Sequence, residues 1–195
     1  METATEKVLR LLATHPKARW EQKELALAAK CSRPFLSKLT KKLQETGIIS
    51  RLDRKLVLIS LPKLLSYWVS MRKLPSPIYF AKNGKTLEKI RNLKDYCLTL
   101  FSAANFRVVL IKTEKIDMYF YGNIKTLYKT FGKPSKHPTN FAVFLSESYI
   151  EIGSENIDGF NLVSIYQNYV DLMTLGGTGV RVAVALDRKY NIMGV

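Results

Sequence analysis

Cations and one hydroxyl recur at fixed places between residues 33 and 55: Arg33, Ser37, Lys38, Lys41 and Lys42 in a first run, Arg51, Arg54 and Lys55 in a second. A guanidinium can donate two parallel hydrogen bonds to a guanine edge, an ammonium neutralises phosphate, and a serine hydroxyl bonds to either. Such a set offers contact with nucleic acid, provided a fold holds both runs outward. In the first run Leu36, Leu39 and Leu43 form a helical stripe, which leaves the cations on the other faces. Ser32 stands where an N-cap belongs and Gly47 where a left-handed residue ends the helix. Upstream, Trp20 to Leu25 takes a short extended segment into a helix with Leu25, Ala28 and Ala29 facing inward, and Lys30-Cys31-Ser32 forms the turn between the two helices. Downstream, Ile48-Ile49-Ser50 opens a hairpin with its tip at Arg51 to Lys55, and Leu56-Val57-Leu58-Ile59 returns as a strand.

A first helix over residues 5–15, with Val8, Leu11 and Leu12 inward and a stop at His15-Pro16, completes the pattern of a winged helix-turn-helix. In that architecture the second helix of the pair enters the major groove, and the hairpin grips phosphates or the adjacent minor groove. Double-stranded DNA is therefore the expected partner. Phe35 is expected to pack at the domain edge rather than to meet a thymine methyl.

The chain has 195 residues, 47% of them hydrophobic, enough for packed cores. Its formal net charge is +15, unevenly spread. Residues 1–60 carry 13 Lys/Arg against 6 Asp/Glu, residues 61–140 carry 15 against 4, and residues 141–195 carry 3 against 6. Acidic partners are thus drawn to the first two thirds, whereas the last third suits protein contact. No run approaches the roughly 18 apolar residues of a membrane span, no basic amphipathic helix with an inserting aromatic face is present, and the first residues lack the pattern of a secretory signal. The expectation is a cytoplasmic protein with no membrane partner. Cys31 lies in the turn and Cys97 in a segment expected to be helical, and both thiols are expected to be buried and reduced.

After the hairpin, Leu61-Pro62 starts a helix burying Leu64, Leu65, Trp68 and Val69, and Pro75-Ser76-Pro77 breaks it. The domain boundary falls there, giving residues 1–73 and 74–195. In the second part Ile78-Tyr79-Phe80 reads as a strand and residues 85–103 as one or two helices. Phe106 to Lys112 and Lys115 to Tyr121 read as strands of a hairpin turning at Thr113-Glu114. Residues 123–131 read as a helix, Gly132 to Pro138 as a loop, and Phe141 to Leu145 as a buried strand. Residues 146–160 are irregular or a short hairpin, Ser164 to Leu175 is a helix, and Val180 to Asp187 is a last helix.

Catalytic chemistry finds little footing. The run Leu175-Gly176-Gly177-Thr178-Gly179 follows a helix rather than a strand and lacks a P-loop lysine, so it reads as a helix-helix turn. His15 and His137 each precede proline in expected loops, and neither has a neighbouring Ser, Cys or carboxylate pattern that suggests nucleophilic catalysis. Asp117 and Asp158 are not spaced as a carboxylate pair. Asp171 and Arg181, on either side of the glycine turn, are expected to form an ion pair or a capping arrangement that holds the two final helices together. Catalytic residues, metal ligands and cofactors are none.

The chain resembles the winged-helix regulators related to AbiEi, the antitoxin of abortive-infection type IV toxin-antitoxin systems. The likeness lies in Trp20 to Ala26, Ser32-Arg33, Leu43 to Ile49 and Leu64 to Trp68, then in Tyr96 to Thr99 with Ala103-Ala104, and in Val163 to Leu186 with its Tyr-x-Asp-Leu helix, Gly-rich turn and Ala-containing last helix. Leu100 stands where the family commonly has Gly, and Val182 or its neighbours where it commonly has an acidic residue. The resemblance implies a repressor, of its own operon, whose second domain supports antitoxicity or a partner contact with a cognate toxin.

The reading is therefore α+β: an N-terminal winged helix-turn-helix followed by a smaller domain on a mixed sheet, acting as a sequence-specific transcriptional regulator that pairs as a homodimer. Two alternatives stand beside it. One is a nucleic-acid-processing or nucleotidyltransferase-like enzyme, its substrate guided by the basic loop Lys133 to His137; the other is a winged-helix protein-interaction module.

Overall fold

The computed structural model describes residues 3–108 and 114–194 and is mixed α and β. Among those residues the strands form two sheets, of three and six strands.

The first unit is built from α1 (Ala4–Thr14), β1 (Arg19–Trp20), α2 (Gln22–Ala28), α3 (Arg33–Glu45), β2 (Ile49–Leu52), β3 (Lys55–Leu58) and α4 (Leu61–Met71). Thr3 and Glu6 close a capping box at the start of α1, each side chain accepting from the other residue's backbone N–H at 3.2 Å. Ser32 Oγ accepts from the N–H of Phe35 at 3.3 Å and caps α3. The end of α3 follows from Gly47: its φ of +66° lets its N–H reach the Gln44 carbonyl and the Ile48 N–H reach that of Leu43, with Leu43 and Ile48 buried together. The chain then runs directly into β2. Strand order is β1-β3-β2, all antiparallel, with Leu52 opposite Lys55. Only Asp53 and Arg54 lie between, both with positive φ (+49° and +64°), as a two-residue type I′ turn requires. The tip is thus shorter than the expected Arg51 to Lys55, since Arg51 and Lys55 belong to the strands.

The second unit comprises β4 (Ile78–Tyr79), α5 (Thr86–Arg91), β5 (Tyr96–Leu98), α6 (Leu100–Arg107), β6 (Ile116–Phe120), α7 (Ile124–Phe131), β7 (Phe141–Leu145), a 3-10 turn (Ser148–Glu151), β8 (Glu155–Ile157), β9 (Phe160–Leu162), α8 (Ile165–Leu175) and α9 (Thr178–Tyr190). The sheet order is β4-β7-β6-β5-β9-β8; β6/β7 and β5/β9 run parallel and the remaining pairs antiparallel. All five residues of β6 are buried, because helices cover both faces. Tyr119 points to one face, where its hydroxyl meets Asp171 of α8 at 3.0 Å. Phe141, on the other face, stacks edge-on with Phe131 of α7 at 4.9 Å.

Several expectations need correction. The second unit is the larger of the two, since a six-stranded sheet covered on both faces needs more chain. Phe106 and Arg107 end helix α6 instead of opening a strand; Arg107 is buried there, donating to the Val163 carbonyl at 2.6 Å and to Asn168 Oδ1 at 3.3 Å, and these contacts outweigh local β propensity. Residues 109–113, which complete the expected hairpin, lie outside the described residues. Residues 85–103 are interrupted by β5, so Cys97 is in a strand; its three-residue span between β6 and β9 is too short to show a period of two. Cys31 is only half-buried. The last helix extends three residues beyond Asp187, to Tyr190.

The core is continuous between the units. Helices α1 and α4 contact α8, and buried polar groups fasten that junction.

Candidate nucleic-acid interface

On α3 the buried positions are Leu36, Leu39, Thr40 and Leu43, and their spacing leaves Arg33, Ser37, Lys38, Lys41 and Lys42 exposed. Arg51, Arg54 and Lys55 are exposed as well. Arg51 shares the sheet face of the buried Ile49, two residues back. At the open end of that face its Nη2 donates to Gln22 Oε1 of α2 at 3.0 Å. Gln22 in turn lines a shallow depression with Lys23, Arg33, Pro34 and Ser37. Through this glutamine, Arg51 of the hairpin is tied to the rim of the depression that the start of α3 lines.

Charge is left uncompensated there. Among the described residues no carboxylate lies within 4.0 Å of Arg33, Lys38, Lys41, Arg54 or Lys55. Asp53, beside Arg54 at the tip, lies 3.9 Å from Arg19 in an exposed pair of little energetic weight. Lys42 is the exception in placement: its ammonium lies 5.1 Å from the centre of the Tyr67 ring of α4, toward the body of the protein. Phe35 is 37% exposed, contrary to the expectation of packing, since it lies off the buried Leu36, Leu39, Leu43 face of α3.

A second polar cluster, which the sequence did not signal as a unit, is wholly buried. Arg72, just past α4, donates to Glu6 Oε1 at 2.6 Å, to Asp171 Oδ1 at 3.0 Å and to the Tyr119 hydroxyl at 2.6 Å. Asp171 also accepts from Thr99 at 2.8 Å, Tyr119 at 3.0 Å and Gln167 Nε2 at 2.7 Å. Gln167 Oε1 receives two bonds from Arg10, at 2.9 and 2.7 Å. Burial pulls the Arg72 pKa down, but Asp171, Tyr119 and Glu6 outweigh it and hold the guanidinium above its ordinary value. Burial and Asp171 push the Tyr119 hydroxyl well up. Each carboxylate oxygen of Asp171 has two donors, so the cluster works as a fastener between units.

The expected Asp171–Arg181 pair does not form: Asp171 faces inward to Arg72, while Arg181 is exposed on the outer side of α9. Gly179 serves the glycine turn differently, since any Cβ there would collide with the Leu172 carbonyl oxygen; α8 and α9 approach that closely.

Asp117 is buried in β6, with Lys115 Nζ 3.1 Å from Oδ1 and no hydrogen-bond partner for Oδ2 among the described residues. Burial raises its pKa and Lys115 opposes the rise. Asp158 is far off, exposed in the β8–β9 turn. Burial raises both thiols, that of Cys97 to about 12, which is the opposite of nucleophile activation. Among the described residues no group of three or more His, Cys, Asp or Glu could hold a metal ion, and no helix is long and apolar enough to cross a membrane.

Compared with protein-family models, curated proteins and solved structures, the chain matches none.

Proposed function

We propose that the chain is a sequence-specific DNA-binding transcriptional regulator whose first unit is a winged helix-turn-helix. The observation that carries this reading is the joining of Arg33 and Ser37 on α3 to Arg51 on the hairpin through Gln22, with further unpaired cations on both elements. A recognition helix and a wing need that combination: a helix with an exposed polar face for base edges and an adjacent hairpin bearing phosphate-binding cations. Arg33, Ser37, Lys38 and Lys41 read the major groove; Arg51, Arg54 and Lys55 hold the backbone, and Lys42 contributes from the flank. The likeness to AbiEi-type antitoxins supports repression of the chain's own operon, with the second unit serving a homodimer or toxin contact.

Selection of bound duplexes from a random library by the full chain tests this. Enrichment of one sequence, bound at least about 10³-fold more tightly than random DNA, is expected. Absence of enrichment together with no duplex binding at physiological salt would overturn it and leave the protein-interaction reading.

A further inference from the structure

The first unit does not absorb the charge of residues 61–140, where 15 Lys/Arg face 4 Asp/Glu. Much of that excess gathers on α5, α7 and the loop after α7. Lys85 and Lys89 are four apart, as are Lys125 and Lys129 on α7, and Lys133 and Lys136 follow. Like charges at that spacing on a helix repel by a few tenths of a kcal/mol. A merely solvated helix face commonly intersperses acids; α7 has none and α5 has one, Glu88, while among the described residues none of Lys85, Lys125, Lys129 and Lys133 has a carboxylate within 4.0 Å.

The two helices flank one cleft. Lys89 Nζ donates to the Thr130 carbonyl at 2.9 Å, and a cleft of about 510 Å³ between them is lined by Lys89, Asn92, Lys94, Thr126 and Thr130, with Asp95 its one carboxylate. This layer covers the sheet face that carries Phe141, while α8 covers the face that carries Tyr119 and joins α1 and α4. The sheet therefore stands between the lysine layer and the helices that hold the first unit.

We propose that α5 and α7 form a second contact surface for the phosphate backbone of duplex DNA, engaging a segment beyond the one held by α3; this rests on the DNA reading above. The chemistry favours a duplex. Unstacked single strands bind on rows of exposed rings, and the exposed ring of this layer, Tyr128, leans on Phe80 with centroids 6.2 Å apart. A membrane surface would need a row of apolar side chains facing out; α7 turns Leu127 and Phe131 into the sheet, and α5 leaves Leu87 alone outside at 49% exposure.

The test uses the full chain with Lys85→Gln, Lys125→Gln, Lys129→Gln and Lys133→Gln combined, its fold checked by circular dichroism, beside a variant carrying Arg33→Ala and Lys38→Ala. Affinity for duplex DNA is followed by fluorescence anisotropy against salt. The lysine variant should flatten the slope of log affinity against log salt by about 0.9 for each phosphate it no longer neutralises, hence by about 2 to 3.6, and keep its sequence preference. The α3 variant should lose that preference. An unchanged slope in the lysine variant overturns the second surface even where the α3 variant behaves as expected. A flattened slope with an inert α3 variant would instead sink the recognition-helix reading and leave the lysine layer standing. Sedimentation of the wild type, but not of the lysine variant, with phosphatidylserine vesicles, alongside an unchanged DNA slope, would assign the layer to a membrane and overturn the proposal.

Discussion

Arg72 and Asp171 lie 99 residues apart in the chain, and their side chains meet at 3.0 Å in the interior, the guanidinium 4% exposed and the carboxylate 0%. Neither charge could be buried alone. The Tyr119 hydroxyl, Glu6, Thr99 and Gln167 complete the hydrogen bonding that makes the pair tolerable.

Replacing Arg72 with Met should cost about 3–5 kcal/mol, because it strands Asp171 and Glu6 as unpaired buried charges. Arg19→Gln, which breaks the exposed pair with Asp53, should cost at most about 1 kcal/mol. Urea denaturation compares the two, and equal midpoints would show that the buried cluster holds no more than a surface pair.

Asp117 carries a pH signature. Its folded pKa is raised by burial above the ordinary 3.8, so over the interval between the unfolded and folded values the native state binds the extra proton. Native stability therefore falls as pH rises through that interval, and the penalty persists at neutral pH. Asp117→Asn should leave stability nearly unchanged at the acid end and raise it at pH 7. A gain independent of pH, measured by thermal unfolding across the range, would assign the effect to packing.

Arg33→Ala should cost about 1–3 kcal/mol on the selected duplex and less on random DNA, since a bidentate contact to guanine discriminates between bases. Equal weakening on both would make Arg33 a phosphate contact.

Arg54 offers a separation of charge from fold. Its φ of +64° suits glycine, so Arg54→Gly should relieve the turn while giving back a similar amount, about 0.4–1 kcal/mol, through the freer unfolded chain. Stability should stay nearly level while the salt slope for DNA falls by about 0.9. A slope that does not move would remove the hairpin tip from the DNA surface.

The first unit is legible in the sequence because its signals are local. Ser32, Gly47 and the Leu36/Leu39/Leu43 stripe each act within a few residues, and the structure places the cap, the stop and the buried face where they imply. The same locality limits the reading elsewhere. Tyr96 to Leu98 forms a strand only because β6 and β9 flank it, and Phe106 stays helical because of Phe160, 5.3 Å away, and the buried anchor of Arg107. Proximity in sequence pairs Asp171 with Arg181, whereas its partner in the fold comes from 99 residues upstream. One signal does point there: Arg10 interrupts the run Val8, Leu9, Leu11 and Leu12, and Asp171 the run Val170, Leu172 and Met173. A charge amid buried apolar neighbours requires a distant counterpart.

That pairing bears on how the first unit can be reused. Grafted onto another body at residue 73, it would export Arg10 without its glutamine and Arg72 without its aspartate, with Glu6 the one carboxylate of the cluster that travels along. A chimaera that transplants α8, or its Gln167 and Asp171, together with the first unit would keep the socket and plug together; the portable piece of this protein is discontinuous in sequence.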